Sequence, residues 1–160
     1  MNYELTLNHQ FSARSEAEAR DKARQYASRH LCIRPVTGLV ISPLAVAQNC
    51  RSFRRTKKEH FCVFLLDTQN RIIDKEIVSI GTLNASIVHP REVYRSAIAQ
   101  SACSIIIAHN HPSGSLEPSE EDLRVTKRLA DCGRLIGIEL LDHVIVTAMG
   151  HMSFRERNLL

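Results

Sequence analysis

The chain has 160 residues, 44% of them hydrophobic and 24% charged. That balance supports a packed core and excludes a disordered chain, and the length suits one compact domain with a small appendage rather than a typical two-domain enzyme. Lysine and arginine outnumber aspartate and glutamate by 21 to 17, giving a net charge of +4 that permits an anionic partner without requiring one.

The first 40 residues read as an N-terminal strand-helix appendage, and residues 41–160 as the main domain. Tyr3–Leu7 alternates like a short strand. Ser15 and Glu18 have capping-box spacing, followed by Ala23, Tyr26, Ala27 and Leu31 at helical intervals. Pro35 and Gly38 close the segment. Ser42-Pro43 starts a helix expected to reach about Phe53. Arg51, Arg54, Arg55, Lys57 and Lys58 then crowd a short stretch. This run reads either as a solvated helix end and loop or as a phosphate-contacting patch for nucleic acid.

Phe61–Leu66 is a continuous apolar run, the pattern of a strand covered on both faces. Asp67–Asn70 carries turn chemistry and Ile72–Ile80 resumes as strand. His89-Pro90 opens a helix with Tyr94, Ala97, Ile98 and Ala102 on one face. Ser104–Ala108, rich in isoleucine, is a buried strand. Ser119 starts a helix that aligns Val125, Leu129 and Cys132, and Leu135–Leu141 with His143–Thr147 supplies further strand. Alternating strands and helices with one hairpin predict a layered α/β domain built on a mixed sheet.

The five cysteines, an odd number with no C-x-x-C spacing, argue against a zinc ribbon, a redox dithiol or a disulfide scaffold. Cys62 and Cys103 lie in apolar runs and read as small buried hydrophobes. Residues 1–10 lack the apolar stretch of a signal peptide, and no apolar run approaches the roughly 20 residues of a membrane span. The sequence therefore reads as cytoplasmic, with no membrane segment.

The chemistry concentrates in His109-Asn110-His111, at the end of the third strand run, and in Ser119 and Asp122 beyond a Pro/Gly/Ser loop. Side chains alternate along a strand, so His109 and His111 share a face. Two imidazoles and one carboxylate are a familiar zinc set that leaves a position for water. Ser119 and Asp122 also fit an ordinary helix cap, and either histidine also fits a packed turn. Consecutive H-N-H is not the spaced pattern of the HNH nucleases. The H-x-E with P-C-x-x-C of zinc deaminases, H-E-x-x-H and G-x-S-x-G are all absent.

The H-x-H, ten residues, Asp pattern, with Ser three before the Asp, resembles the JAMM motif of JAB/MPN domains. The strings HNHPSG, VHPRE and LLDHVIV resemble the RadC family, over about Ser42 to Arg157. The resemblance is to a short RadC-like form without an evident helix-hairpin-helix segment. It implies a JAB/MPN-like mixed sheet flanked by helices, a layered architecture akin to cytidine deaminases. It also implies His109, His111 and Asp122 as zinc ligands, Glu59 as general base and then acid, and Ser119 as the oxyanion-steadying hydroxyl. The activity implied is that of a zinc metallopeptidase or isopeptidase acting on a peptide or isopeptide amide. The alternative is a DNA-repair-associated nucleic-acid-binding module with a non-catalytic metal site. His143, in the LDH string, is expected to stand behind the site and to be oriented by Asp142. His89 is expected to pack, and Arg91 to meet a carbonyl or carboxylate.

Overall fold

The computed structural model describes residues 42–81 and 88–160, and the expected N-terminal strand-helix lies outside them. Helix α1 (Pro43–Asn49) leads to strands β1 (Glu59–Leu66) and β2 (Ile72–Gly81). Helix α2 (Pro90–Ala99), strand β3 (Ser104–Asn110), helix α3 (Glu120–Ile136) and strands β4 (Glu139–Val146) and β5 (His151–Ser153) follow. The sheet order is β2-β1-β3-β4-β5. β3 and β4 run parallel and every other neighbouring pair is antiparallel. This is the mixed α/β sheet expected of a JAB/MPN-like domain.

Alternation along β1 builds two cores. Phe61, Val63 and Leu65 face α2 and α3, meeting Val93, Tyr94, Ala97, Val125 and Leu129 together with Ile105 and Ile107 of β3. Cys62, Phe64 and Leu66 face the other way, toward Val46, Ala47, Cys50 and Phe53 around α1, with Ile106 and Ala108. Each fully buried Leu, Ile or Phe contributes about 1.5–3 kcal/mol relative to exposure. The sheet is thus the middle of three layers, which explains the unbroken apolar run of β1.

The structure corrects several boundaries. α1 ends at Asn49, and the chain turns through Arg55 instead of remaining helical to Phe53. Leu135 and Ile136 close α3 rather than opening a strand; Gly137, at φ +74°, supplies the left-handed residue that ends the helix. Cys62 is buried as expected, whereas Cys103 is exposed because it precedes the first buried residue of β3. Ile98 is also exposed, since α2 packs through Val93, Tyr94 and Ala97. Among the described residues no helix is long and apolar enough to cross a membrane.

α3 has no room for a side chain at Gly133. A Cβ there would run into the Ile138 carbonyl oxygen and the Tyr94 hydroxyl, itself hydrogen-bonded to the Leu129 carbonyl at 2.9 Å. Glycine-to-alanine in an open helix interior stabilises by roughly 0.8–1.0 kcal/mol. Here overpacking wins, and Gly133→Ala is expected to destabilise by about 1–3 kcal/mol. A urea melt with an unchanged or raised midpoint would contradict this.

Candidate metal centre

β1 and β3 pair antiparallel with Phe61 opposite His109, so the start of β1 lies beside the end of β3. His109 follows Ile105 and Ile107 onto the α3 face, where its ring stacks against Phe61 at 6.2 Å between centroids. His111 lies on the same side, its Nε2 2.9 Å from His109 Nε2. Its Nδ1 contacts the Ser115 carbonyl at 2.9 Å, which points Nε2 inward.

The third member comes from the first turn of α3. Ser119 is the N-cap: its hydroxyl accepts from the Asp122 backbone N–H at 3.1 Å. In return Asp122 Oδ2 accepts from the Ser119 N–H at 2.7 Å and the Ser119 hydroxyl at 2.6 Å. This capping box turns the carboxylate back toward β3. Asp122 Oδ1 lies 3.2 Å from His109 Nε2, and Oδ2 lies 3.4 Å from His111 Nε2. One ligand atom from each residue falls within 4.8 Å of the others, so His109, His111 and Asp122 can hold one metal ion.

Asp122 Oδ1 shows that the set fits an ion. It is buried and has no hydrogen-bond partner among the described residues, although an imidazole stands at ion-pair distance. A carboxylate oxygen sealed from water without a partner is costly, and a cation shared with the imidazoles satisfies it. Burial by itself would raise the Asp122 carboxyl. His109, His111 and Ser119 outweigh it and hold the group well below the usual carboxylate range. The same Asp122 contact raises His111 above its ordinary 6.5, against the lowering effect of burial.

Behind His109 stands His143, fully buried on β4, which pairs in parallel with β3. Its Nε2 is 2.8 Å from His109 Nδ1, and its Nδ1 is 2.6 Å from the Thr126 hydroxyl. Phe154 stacks on the ring at 4.4 Å between centroids. Burial drives this imidazole well below its ordinary pKa, so it is neutral near pH 7. The expected link to Asp142 takes another form. The Asp142 carboxylate accepts from the His143 backbone N–H, the Arg155 N–H and the Ser153 hydroxyl, whereas the ring is gripped by His109 and Thr126. Burial raises the Asp142 carboxyl despite those three donors.

Glu59 opens β1, and its half-buried side chain lines a cavity of about 410 Å³ with His111, Ser113, Ser115, Glu117, Ser119 and Asp122. The chain around it is fastened by Asn110, whose side chain leaves β3 on the face away from His109. Asn110 Oδ1 accepts from the His60 N–H at 2.8 Å, and Nδ2 donates to the Lys58 carbonyl at 3.2 Å. One buried carboxamide therefore holds the residues on both sides of Glu59. Thr126 and Asn110 escaped the sequence reading. Their signals were slight: Thr126 sits one helical turn after Asp122, and Asn110 is the middle position of H-x-H. His89 is the N-cap of α2, its Nδ1 accepting from the Arg91 N–H at 3.2 Å, while Arg91 pairs with Glu92 at the surface. The cationic run Arg51–Lys58 forms the largely exposed turns leading into β1.

A profile of the RadC-like JAB domain matches residues 40–159. The chain belongs to the RadC-like JAB domain family. Among relatives, a UPF0758 protein of Geobacillus thermodenitrificans is 56% identical over 104 residues, covering 65% of this chain and 46% of the relative. One of Symbiobacterium thermophilum is 58% identical over 102 residues, covering 64% and 44%. One of Clostridioides difficile is 45% identical over 139 residues, covering 86% and 59%. This RadC-like chain thus spans about half the length of the curated relatives it matches.

A metal ligand must be free of its proton. Because Asp122 favours protonated His111, protons compete for that Nε2 up to above pH 6.5. Affinity for a divalent transition-metal ion is expected to rise as pH climbs through the raised His111 value and to fall below it. Competition against a chelating dye between pH 5.5 and 8 measures this; a flat profile contradicts it.

Proposed function

We propose that this RadC-like domain is a zinc-dependent hydrolase of amide bonds, a peptidase or isopeptidase, with His109, His111 and Asp122 holding the ion. One observation carries the reading: Glu59 and Ser119 line the same cavity as His111 and Asp122. That cavity therefore joins a carboxylate able to carry a proton, a hydroxyl able to donate, and ligand atoms suited to zinc.

Zinc in such a set polarises a carbonyl and lowers the pKa of a bound water to about 7. Glu59 takes the proton that the attacking water gives up as its oxygen bonds to the amide carbon. The same carboxyl returns that proton to the amine nitrogen as the carbon–nitrogen bond breaks. The product acid and amine then account for every atom of the water. Ser119 can serve its cap and the reaction together. Its oxygen accepts the Asp122 N–H, and its backbone N–H alone still caps Oδ2 at 2.7 Å. The single hydroxyl proton, given to Asp122 Oδ2 at 2.6 Å, can therefore turn from that oxygen to a developing oxyanion without emptying the cap.

The purified chain is expected to hold about one zinc per molecule, and His109→Ala or Asp122→Ala to lose it, as read by elemental analysis. Glu59→Gln is expected to retain zinc yet lose at least about 100-fold in turnover. The assay uses fluorogenic peptides and an ε-amino-linked isopeptide. Wild-type turnover in Glu59→Gln removes Glu59 from the mechanism. Zinc-loaded wild-type protein that leaves every probe intact overturns the hydrolase assignment.

A further inference from the structure

We infer that His143 and Thr126 are positioning residues that fix the tautomer of His109, so that its Nε2 lone pair faces the metal position; this rests on the metal-ion reading of the site. The direction of every link follows from one group whose role is invariant. The Asp122 backbone carbonyl can only accept. Thr126 Oγ1 lies 2.6 Å from it, one helical turn along α3, so the threonine hydroxyl spends its single proton there. Facing His143 Nδ1 at 2.6 Å, that hydroxyl is left only as an acceptor, which places a proton on His143 Nδ1.

A neutral imidazole carries one proton, so His143 Nε2 is an acceptor. Its neighbour at 2.8 Å is His109 Nδ1, which must then carry the His109 proton. His109 Nε2 is left with a bare lone pair, aimed at the space it shares with His111 Nε2 and Asp122 Oδ1. With His111 neutral, two lone-pair-bearing atoms at that separation suit a shared cation. The chain closes on itself: it starts at the backbone of Asp122, a member of the ligand set, and ends at the ring of another.

Packing adds to this control. His109, His143 and Thr126 are all buried, and the His143 ring is held by Phe154 on one face and by the edge contact with Phe61 at 6.0 Å. No solvent reaches the links to offer a different partner. Groups that orient a metal-binding imidazole typically account for about 10–100-fold in metal affinity.

The test uses the 160-residue chain labelled with ¹⁵N. Long-range proton–nitrogen correlation spectra of the metal-free and zinc-loaded protein report which ring nitrogen carries the proton, with His143→Gln assigning the signals. Both His143 and His109 are expected as the Nδ1–H form in both samples. An Nε2–H form of His143 in the wild-type protein overturns the inference. Zinc affinity, read by competition with a chelating dye, is expected to fall about 10–100-fold in Thr126→Val and to return to within a few-fold of wild type in Thr126→Ser. Equal affinities in Thr126→Val and wild type overturn the positioning role. Wild-type protein that binds no zinc at all fails the metal-site reading itself, a result distinct from either of these.

Discussion

A carboxylate sealed from water at the start of a helix is the feature on which the rest of this domain depends. Burying an isolated carboxylate costs several kcal/mol, and a protein retains one only where its lone pairs are answered. Asp122 is fully buried, and its two oxygens are treated differently. Oδ2 receives the backbone and the hydroxyl of Ser119, with the positive end of α3 behind it. Oδ1 receives no hydrogen bond among the described residues and looks toward the His109 imidazole. The helix cap holds the side chain rigidly while leaving half of its capacity for something carrying positive charge.

The sheet turns this local arrangement into a site. Odd-numbered residues of β3 point toward α3 and even-numbered ones toward α1. His109 therefore reaches the carboxylate on one side, while Asn110 reaches the entry to β1 on the other. The parallel β3–β4 pairing places His143 behind His109, where a crossover through α3 has already set Thr126. Each of these positions lies on a regular element rather than a loop, and packing fixes the rotamers.

Much of this was legible in the sequence, for reasons that differ from residue to residue. Strand alternation alone put His109 and His111 on one face. The Ser119–Asp122 pair read as an ordinary helix cap, and that cap proved to be a capping box that aims the carboxylate at β3. Nothing local announced that β1 would lie beside β3, because strand neighbours are decided by non-local pairing. The nearness of Glu59 to the histidines came from the family pattern until the register supplied it. Leu135 and Ile136 looked like strand since short apolar runs suit either element, and Gly137 was the sign that the helix reached that far. Cys103 and Ile98 were misplaced because hydrophobic neighbours in sequence do not guarantee a shared face in space. The links from His143 to Thr126 join a strand to a helix, and only coordinates could reveal them.

The Asn110 carboxamide ties Lys58 and His60 to the very strand that carries His109 and leads directly into His111. The Glu59 carboxylate between those anchor points consequently rides on the same slab as His109 rather than on an independent loop. The hydrogen bonds from Asn110 couple the start of β1 to the end of β3, so a displacement of one carries the other with it. Evolution of the surrounding loops can then reshape the mouth of the cavity without retuning its floor, since the spacing is written into one rung of a ladder and not into the turns that frame it.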